Sequence, residues 1–324
     1  MLRIFVYEYF TGGGLDGPPR DDDERELLAA GTAMREAIVG DLLRLPGIHV
    51  TVADTTGDAL PAAHGVAPAP DESPEAFVRR MARLHDASWI IAPETDGMLA
   101  RLREAVGDAG WIGCDAGAIH CAASKSATLA RLAGHGVPTP RAGGPGHRGR
   151  WIVKPDDGAG TVATRLHPAR AAAHADLEAR RAAGRCATLE PFVEGEALSI
   201  SMIVGANLAT PVETVAFNRQ RIEAGPEGWL RDAGVRSAEI DERHDPRAGA
   251  LRGLALQVAD AMPGLRGFVG IDLIWNEEQG PVAIEVNPRV TSAYVGLSSR
   301  LGRNLAAEIL RSALAPEAGR ALAP

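Results

Sequence analysis

Between residues 268 and 287 two short stretches alternate apolar and polar side chains, and this pattern restricts the fold more than any other part of the chain. In an extended strand successive side chains point to opposite faces. Val269, Ile271 and Leu273 therefore share one face and leave Asp272 on the other. Val282, Ile284 and Val286 share a face in the same way, with Glu285 and Asn287 opposite. The pattern predicts strands at 267–275 and 281–287 whose apolar faces cover a core. Two carboxylates and one amide then converge on a cleft. Such hard oxygen donors suit magnesium, which takes few protein carboxylates and lets waters and substrate phosphates complete its shell. The same residues would also fit a plain solvated face. Pro288-Arg289, directly after Asn287, and the strand-borne Asp272 favour the metal-holding reading.

The rest of the chain supplies a setting for that cleft. Its 324 residues exceed one ordinary core and predict more than one domain. Residues 1–114 alternate strands (Leu2 to Tyr7, His49 to Asp54, Ser88 to Ala92, Trp111 to Cys114) with helices, the signature of a parallel sheet covered on both faces. The acidic run Asp21 to Glu24 opens one helix and Ser73-Pro74 opens another. After Cys114 the pattern changes. Two short helices are expected near 116–135, then a turn-rich linker through Pro138-Thr139-Pro140 and 143–149. From Trp151 onward strands dominate, and 197–204 and 211–217 fit antiparallel pairing. Helices are expected at 169–183, 247–261 and 303–314.

Three further segments carry chemistry. Trp151 to Pro155 reads as a strand ending in Lys154, followed by the small-residue loop Asp156-Asp157-Gly158-Ala159-Gly160-Thr161. Gly158 and Gly160 let backbone amides approach an anion, and Lys154 adds a point charge for a phosphate chain. The spacing is not that of a Walker loop. Lys125 opens a helix 29 residues earlier. Thr188 to Glu196 reads as a strand running into an acidic hinge. Backbone groups along Pro191, Phe192 and Val193 could meet an adenine edge, and Glu194 or Glu196 could accept from ribose hydroxyls.

In this order the segments resemble the ATP-grasp superfamily over roughly 115–315. That resemblance implies an ATP-grasp fold, mixing α/β and α+β architecture, over 115–324, preceded by a Rossmann-like parallel-sheet domain over 1–114. Carried over position by position, it implies that Lys125, Lys154, Gly158 and Gly160 attend the nucleotide phosphates. Glu190, Phe192, Val193 and Glu196 resemble the adenosine site. Asp272, Glu285 and Asn287 resemble the magnesium ligands, with manganese as a substitute, and Arg289 resembles the arginine beside the transferred phosphoryl group. Ser124 stands where the superfamily often has aspartate. Four segments are similar to the tyramine–glutamate ligase branch, which serves methanofuran-type cofactor synthesis: Val6 to Gly14, Ala92 to Gly97, Phe217 to Gln220, and Asn287 to Leu297. That likeness implies amide formation between the glutamate side-chain carboxyl and tyramine, tyrosine or a related amine, through an acyl phosphate and with release of ADP. Another amino-acid or dipeptide ligase of the same type, or a non-catalytic ATP-binding regulator, are the alternatives.

Substrate contacts are sought in the first loop and among polar residues near the cleft. Glu8 is a candidate for attracting an amine, and Asn218-Arg219 for clamping a carboxylate, with Arg219 ranked first. Tyr294 would either stack on an aromatic amine or pack against the terminal helix. A net charge of −8 argues against a general nucleic-acid partner. Three scattered cysteines form neither a disulfide framework nor a zinc pattern, which points to a reducing, cytoplasmic setting. The amino terminus is unlike a signal peptide, and no apolar run of membrane-spanning length occurs. Expected partners are small carboxylates and amines, and oligomerisation is left open.

Overall fold

The computed structural model describes residues 1–15, 17–57, 61–140, 149–158, 160–205 and 212–314. Most of the expected linker, Ala159 and the residues beyond 314 lie outside these.

The amino-terminal part is built on five parallel strands: β1 (Leu2–Glu8), β2 (Ile48–Ala53), β3 (His64–Val66), β4 (Ala87–Ile91) and β5 (Trp111–Ile112). They lie side by side in the order β3-β2-β1-β4-β5. Helix α1 (Asp22–Leu43) packs Ile38 and Leu42 against Ile4 and Val6 on one face. Helices α2 (Pro74–Ala82) and α3 (Met98–Val106) bury Phe77, Leu99 and Leu102 with Phe5 and Tyr7 on the other. The start signals act as their chemistry dictates. The side chains of Asp21 and Ser73 accept the N–H groups of Glu24 and Ala76, supplying orphan donors of the first turn with partners. The edge strand β3 escapes sequence reading because it is short and its glycine breaks any alternation.

The chain runs β2 and β3 outward to one side, then returns to place β4 beside β1. Loops leaving β1 and β4 therefore diverge at the carboxyl ends of neighbouring strands, where open α/β sheets place ligands.

Helices α4 (Ala116–Ala122) and α5 (Lys125–Gly134) lead into a three-stranded sheet, β7-β6-β8, made of β6 (Trp151–Pro155), β7 (Arg165–His167) and β8 (Ala187–Pro191). Helix α6 (Arg170–Ala182) covers one face through Ala173 and Leu177 on Trp151 and Val153. The second large sheet is antiparallel, in the order β11-β10-β9-β12-β13. Its strands are β9 (Glu196–Val204), β10 (Glu213–Ala224), β11 (Leu230–Ile240), β12 (Gly267–Asn276) and β13 (Gly280–Asn287). Helix α7 (Ala248–Ala261) covers one face, burying Leu251 and Leu254 with Leu198, Ile200, Ile271 and Leu273. The opposite face changes character along the strands. At one end Ile203 and Phe268 pack on Ile309 and Leu310 of α9 (Leu305–Ala313), which follows the short α8 (Leu297–Leu301). At the other end it carries Ser199, Asn218 and Asp272 in register.

The strict alternation expected for β13 is broken. A bulge sets Asp272 opposite Glu285 and Leu273 opposite Ala283, so Ala283 rather than Ile284 joins Val286 in the core. The extra residue leaves Glu285 and Asn287 on the polar face. Among the described residues, no helix is long and apolar enough to cross a membrane.

Candidate active site

The floor of the site is the polar end of the antiparallel sheet. Asp272 is half-buried there, between two amides that both donate to it. Gln220 Nε2 reaches Oδ1 at 2.8 Å and Asn287 Nδ2 reaches Oδ2 at 3.1 Å. Burial pushes the Asp272 carboxyl up to about 7, and the charge of Glu285 adds to the rise. Among the described residues Asp272 itself meets only amide donors and no cation, beside the carboxylate of Glu285. Among the described residues no three acidic, histidine or cysteine side chains gather. The donor set is two carboxylates and amide oxygen, which fits a hard ion that also takes phosphate oxygens and not a zinc centre.

Lys125 ties this floor to the small-residue loop. Its side chain is 5% exposed, and Nζ lies 3.0 Å from Glu285 Oε1 and donates to Gly158 O at 2.7 Å. The helix start that places it is intact although Ser124 stands at the cap. Ser124 Oγ accepts from Ala127 N, and Asp156 Oδ2 accepts from Ser124 Oγ at 2.6 Å while Oδ1 accepts from Ser126 N. Asp156, from the loop, thus supplies the carboxylate at this helix start. Gly158 and Gly160 have φ of +110° and +66°, a backbone region that side chains other than glycine rarely enter.

Lys154 and Glu190 lie on β6 and β8, on the sheet face away from α6. They form a buried pair, Nζ to Oε2 at 2.9 Å. Glu190 Oε1 is buried with no partner among the described residues. An orphaned acceptor of this kind is costly unless a ligand donor meets it, and the amino group of an adenine fits. The hinge follows. Phe192 N donates to Arg150 O, Arg150 lies 4.3 Å over the Phe192 ring and its guanidinium binds Glu194 at 2.7 Å. Val193 has no hydrogen-bond partner among the described residues. Gly195 packs so closely on β12 that a Cβ would stand 2.1 Å from Trp275 O, which fixes the turn between Glu194 and Glu196.

Arg289 lies beside this cluster in sequence and is held from the other sheet. Glu94, on the loop after β4, accepts from Nε at 2.9 Å and Nη2 at 3.0 Å. Desolvation opposes the guanidinium charge most strongly of any single effect, but Glu94, with Glu285 and Asp272 beyond it, together hold the group above its ordinary value. The same loop donates Asp96 N to Asp157 Oδ2 at 3.0 Å.

Lys125, Gly158, Asp272, Glu285 and Asn287 are therefore brought together. Arg219 is not. The register puts it with Leu198 on the α7 side of the sheet, where it binds Glu196 at 3.1 Å. Glu196 is held there as well, by Arg247 at 2.5 Å. Alternation along β10 sends Arg219 to the face opposite Asp272. Asn218 is no carboxylate clamp either, because it is fully buried and saturated by Ser199, Ser201 and Ala238 N. Glu8 is buried and accepts from Thr11 N at 2.8 Å, so it organises its own loop. Tyr294 is 1% exposed, sits edge-on to Phe268 and donates to Asp41 of α1 at 2.6 Å, so it braces the sheets instead of stacking on a substrate. Sequence reading missed Gln220 and Glu94 as individual residues. The signal for Glu94 was its place just beyond β4 at the point where the strand order reverses.

An ATP-grasp domain model matches residues 122–293 and a pre-ATP-grasp domain model matches 48–119. A tyramine–L-glutamate ligase from Methanocaldococcus fervens is 27% identical over 216 residues, which span 66% of this chain and 62% of that relative. The corresponding ligase from Methanocaldococcus jannaschii is 31% identical over 111 residues, 34% of this chain and 32% of the relative. The match thus spans less than two thirds of the length of either ligase. An ATP-grasp superfamily protein from Archaeoglobus fulgidus superposes with a TM-score of 0.70 at 23% identity, over 95% of this chain and 88% of that one. A family model covering more than half of the chain, on a fold where helix-borne Lys125 links the small-residue loop to the acidic strand pair, places it: the chain belongs to the ATP-grasp family.

Proposed function

We propose that this protein is an ATP-dependent ligase that joins a carboxylate to an amine through an acyl phosphate and releases ADP and phosphate. One observation carries the reading above the others. Lys125 Nζ bridges Glu285 and the Gly158 carbonyl, so the metal-holding cluster and the phosphate loop form one continuous site.

Asp272, Glu285 and Asn287 would hold magnesium, or manganese in its place. When bound, the ion supplies neutralisation of the phosphate charge. The side chains do the rest by placement and electrostatics. Lys125 and Lys154 meet phosphate oxygens, exchanging their contacts with Glu285 and Glu190 for the nucleotide. Glu190 Oε1 and the Val193 backbone receive the adenine edge, and the hinge carboxylates Glu194 and Glu196 stand for the ribose. For Glu196 this requires its pairing with Arg219 and Arg247 to open. The substrate carboxylate oxygen attacks the γ-phosphorus as the bond to ADP breaks. The amine then attacks the acyl carbon, and the bridging oxygen leaves with phosphate. Arg289 stabilises charge on the transferred group. The loop around Gly158 and Gly160 excludes water, which would otherwise hydrolyse the acyl phosphate.

For the substrates we propose the side-chain carboxyl of glutamate and tyramine, tyrosine or a related aromatic amine. The named activity of the two Methanocaldococcus relatives supports this pair. The test is ADP release with Mg-ATP across a matrix of acids and amines, with products identified by mass. Glutamate with tyramine or tyrosine is expected to give the amide. Turnover with a different pair alone would reject the substrate assignment and keep the ligase.

A further inference from the structure

We propose that Glu94 is a positioning residue for Arg289: it grips one edge of the guanidinium so that the remaining N–H groups meet the transferred phosphoryl group. This rests on the ligase reading above.

The grip is geometric. Glu94 takes Nε and Nη2 together, at 2.9 and 3.0 Å, and the carbonyl of Val290 accepts from Nη1 at 3.2 Å. A guanidinium has five N–H donors in a rigid fork. Three are used, and one remains on each terminal nitrogen. Two such donors suit two oxygens of one tetrahedral anion. The Glu94 and Arg289 side chains are 4% and 9% exposed, so the fork has little room to rotate.

The grip also sets what Arg289 does not touch. Asp272 and Glu285 are within electrostatic reach of the guanidinium. Released from Glu94, Arg289 would be drawn onto these carboxylates and would compete with the ion they hold. Glu94 thus keeps a needed cation apart from a needed anionic pair. Its loop does a second job nearby, since Asp96 N holds Asp157, the neighbour of Gly158. One loop of the parallel sheet therefore steadies two phosphate-handling elements that belong to the ATP-grasp part.

The test compares wild type, Glu94→Gln, Glu94→Asp, Arg289→Lys and the double variant Glu94→Gln/Arg289→Lys, each first shown to be folded by thermal melting. Two measurements are made: ADP release, and the ³¹P spectrum of bound Mg-ATP. Glu94→Gln is expected to lower kcat on the order of 30- to 100-fold, at or below the low end of the roughly 100- to 1,000-fold for an outright loss of an electrostatic donor because Arg289 itself remains, with the KM for ATP within about threefold. Its γ-phosphorus line should move as it does in Arg289→Lys, while the α line stays. The double variant should lose little beyond Arg289→Lys alone, because both changes remove one function. Glu94→Asp, which keeps the charge on a shorter arm, should fall between; it also carries the test if Glu94→Gln does not fold. An unchanged γ line with wild-type kcat in Glu94→Gln, or losses that multiply in the double variant, would overturn the inference. If wild type releases no ADP with any acid–amine pair, the ligase reading falls, and the γ line still decides whether Glu94 positions Arg289.

Discussion

Replacing Asp272 by asparagine should stabilise the metal-free protein while destroying its response to magnesium. The Asp272 carboxyl rises from 3.8 to about 7 in the folded chain because burial and Glu285 both oppose its charge. A folded value above the unfolded one means the fold prefers the protonated acid. Stability is therefore highest below about pH 4, falls as pH rises, and reaches its lower plateau above about pH 7. The full shift corresponds to roughly 4 kcal/mol at 1.36 kcal/mol per unit. Asp272 is half-buried and solvent screens part of this, so roughly 1–3 kcal/mol is the fitting scale. For a chain of this length that is about 2–4 °C in Tm. The introduced amide does not titrate. It also finds partners, because Gln220 and Asn287 are amides that can turn to present either oxygen or nitrogen. In metal-free buffer at pH 8 the Asp272→Asn variant should melt about 2–4 °C above wild type, and near pH 4 the two should coincide. With Mg-ATP the order should invert, wild type gaining a shift that the variant lacks. The assay is scanning calorimetry at both pH values with and without Mg-ATP. A variant that melts below wild type at pH 8, or that keeps both the Mg-ATP shift and turnover, would refute the reasoning.

Lys154→Met should leave Glu190 charged and buried without its partner, a loss of about 3–5 kcal/mol in urea unfolding. Adding Glu190→Gln should recover much of that stability and none of the activity. Tyr294→Phe removes a hydrogen bond to Asp41 that also receives Ser298; it should cost about 1–3 kcal/mol and leave the KM for the amine unchanged, whereas an amine-stacking role would move that KM. Arg247 holds the Asp245 carboxyl down at about 2, so Asp245 contributes stability above about pH 4 that is lost as pH falls toward 2. Both side chains of the pair are part-buried, so the contribution is about 1–2 kcal/mol, and Asp245→Asn should flatten that part of the acid unfolding curve.

Much of the fold was legible because its signals are local. Parallel strands such as Ile4 to Tyr7 are apolar throughout, and Ser73-Pro74 carries its own cap. Strand β11 was not legible. Residues 230–240 mix arginine, aspartate and glycine, and only pairing with β10 makes them a strand. In the site, Asp272, Glu285 and Asn287 could be aligned from a period of two, although the bulge moved Ile284 off the core. Arg219 shows the limit of reading by neighbourhood. It adjoins Asn218 and Gln220, which share a face with Asp272, yet Arg219 itself points to the other face. The bond between Glu94 and Arg289 joins residues 195 apart in sequence, and no local pattern in either segment announces it.

The most direct test of the central claim follows one oxygen atom. Glutamate labelled with ¹⁸O in its carboxylates is incubated with the protein, Mg-ATP and tyramine, and the released phosphate is analysed by mass. Attack of the carboxylate on the γ-phosphorus, then of the amine on the acyl carbon, carries one labelled oxygen into each phosphate and leaves ADP. Phosphate without label, or AMP in place of ADP, would contradict an acyl phosphate route.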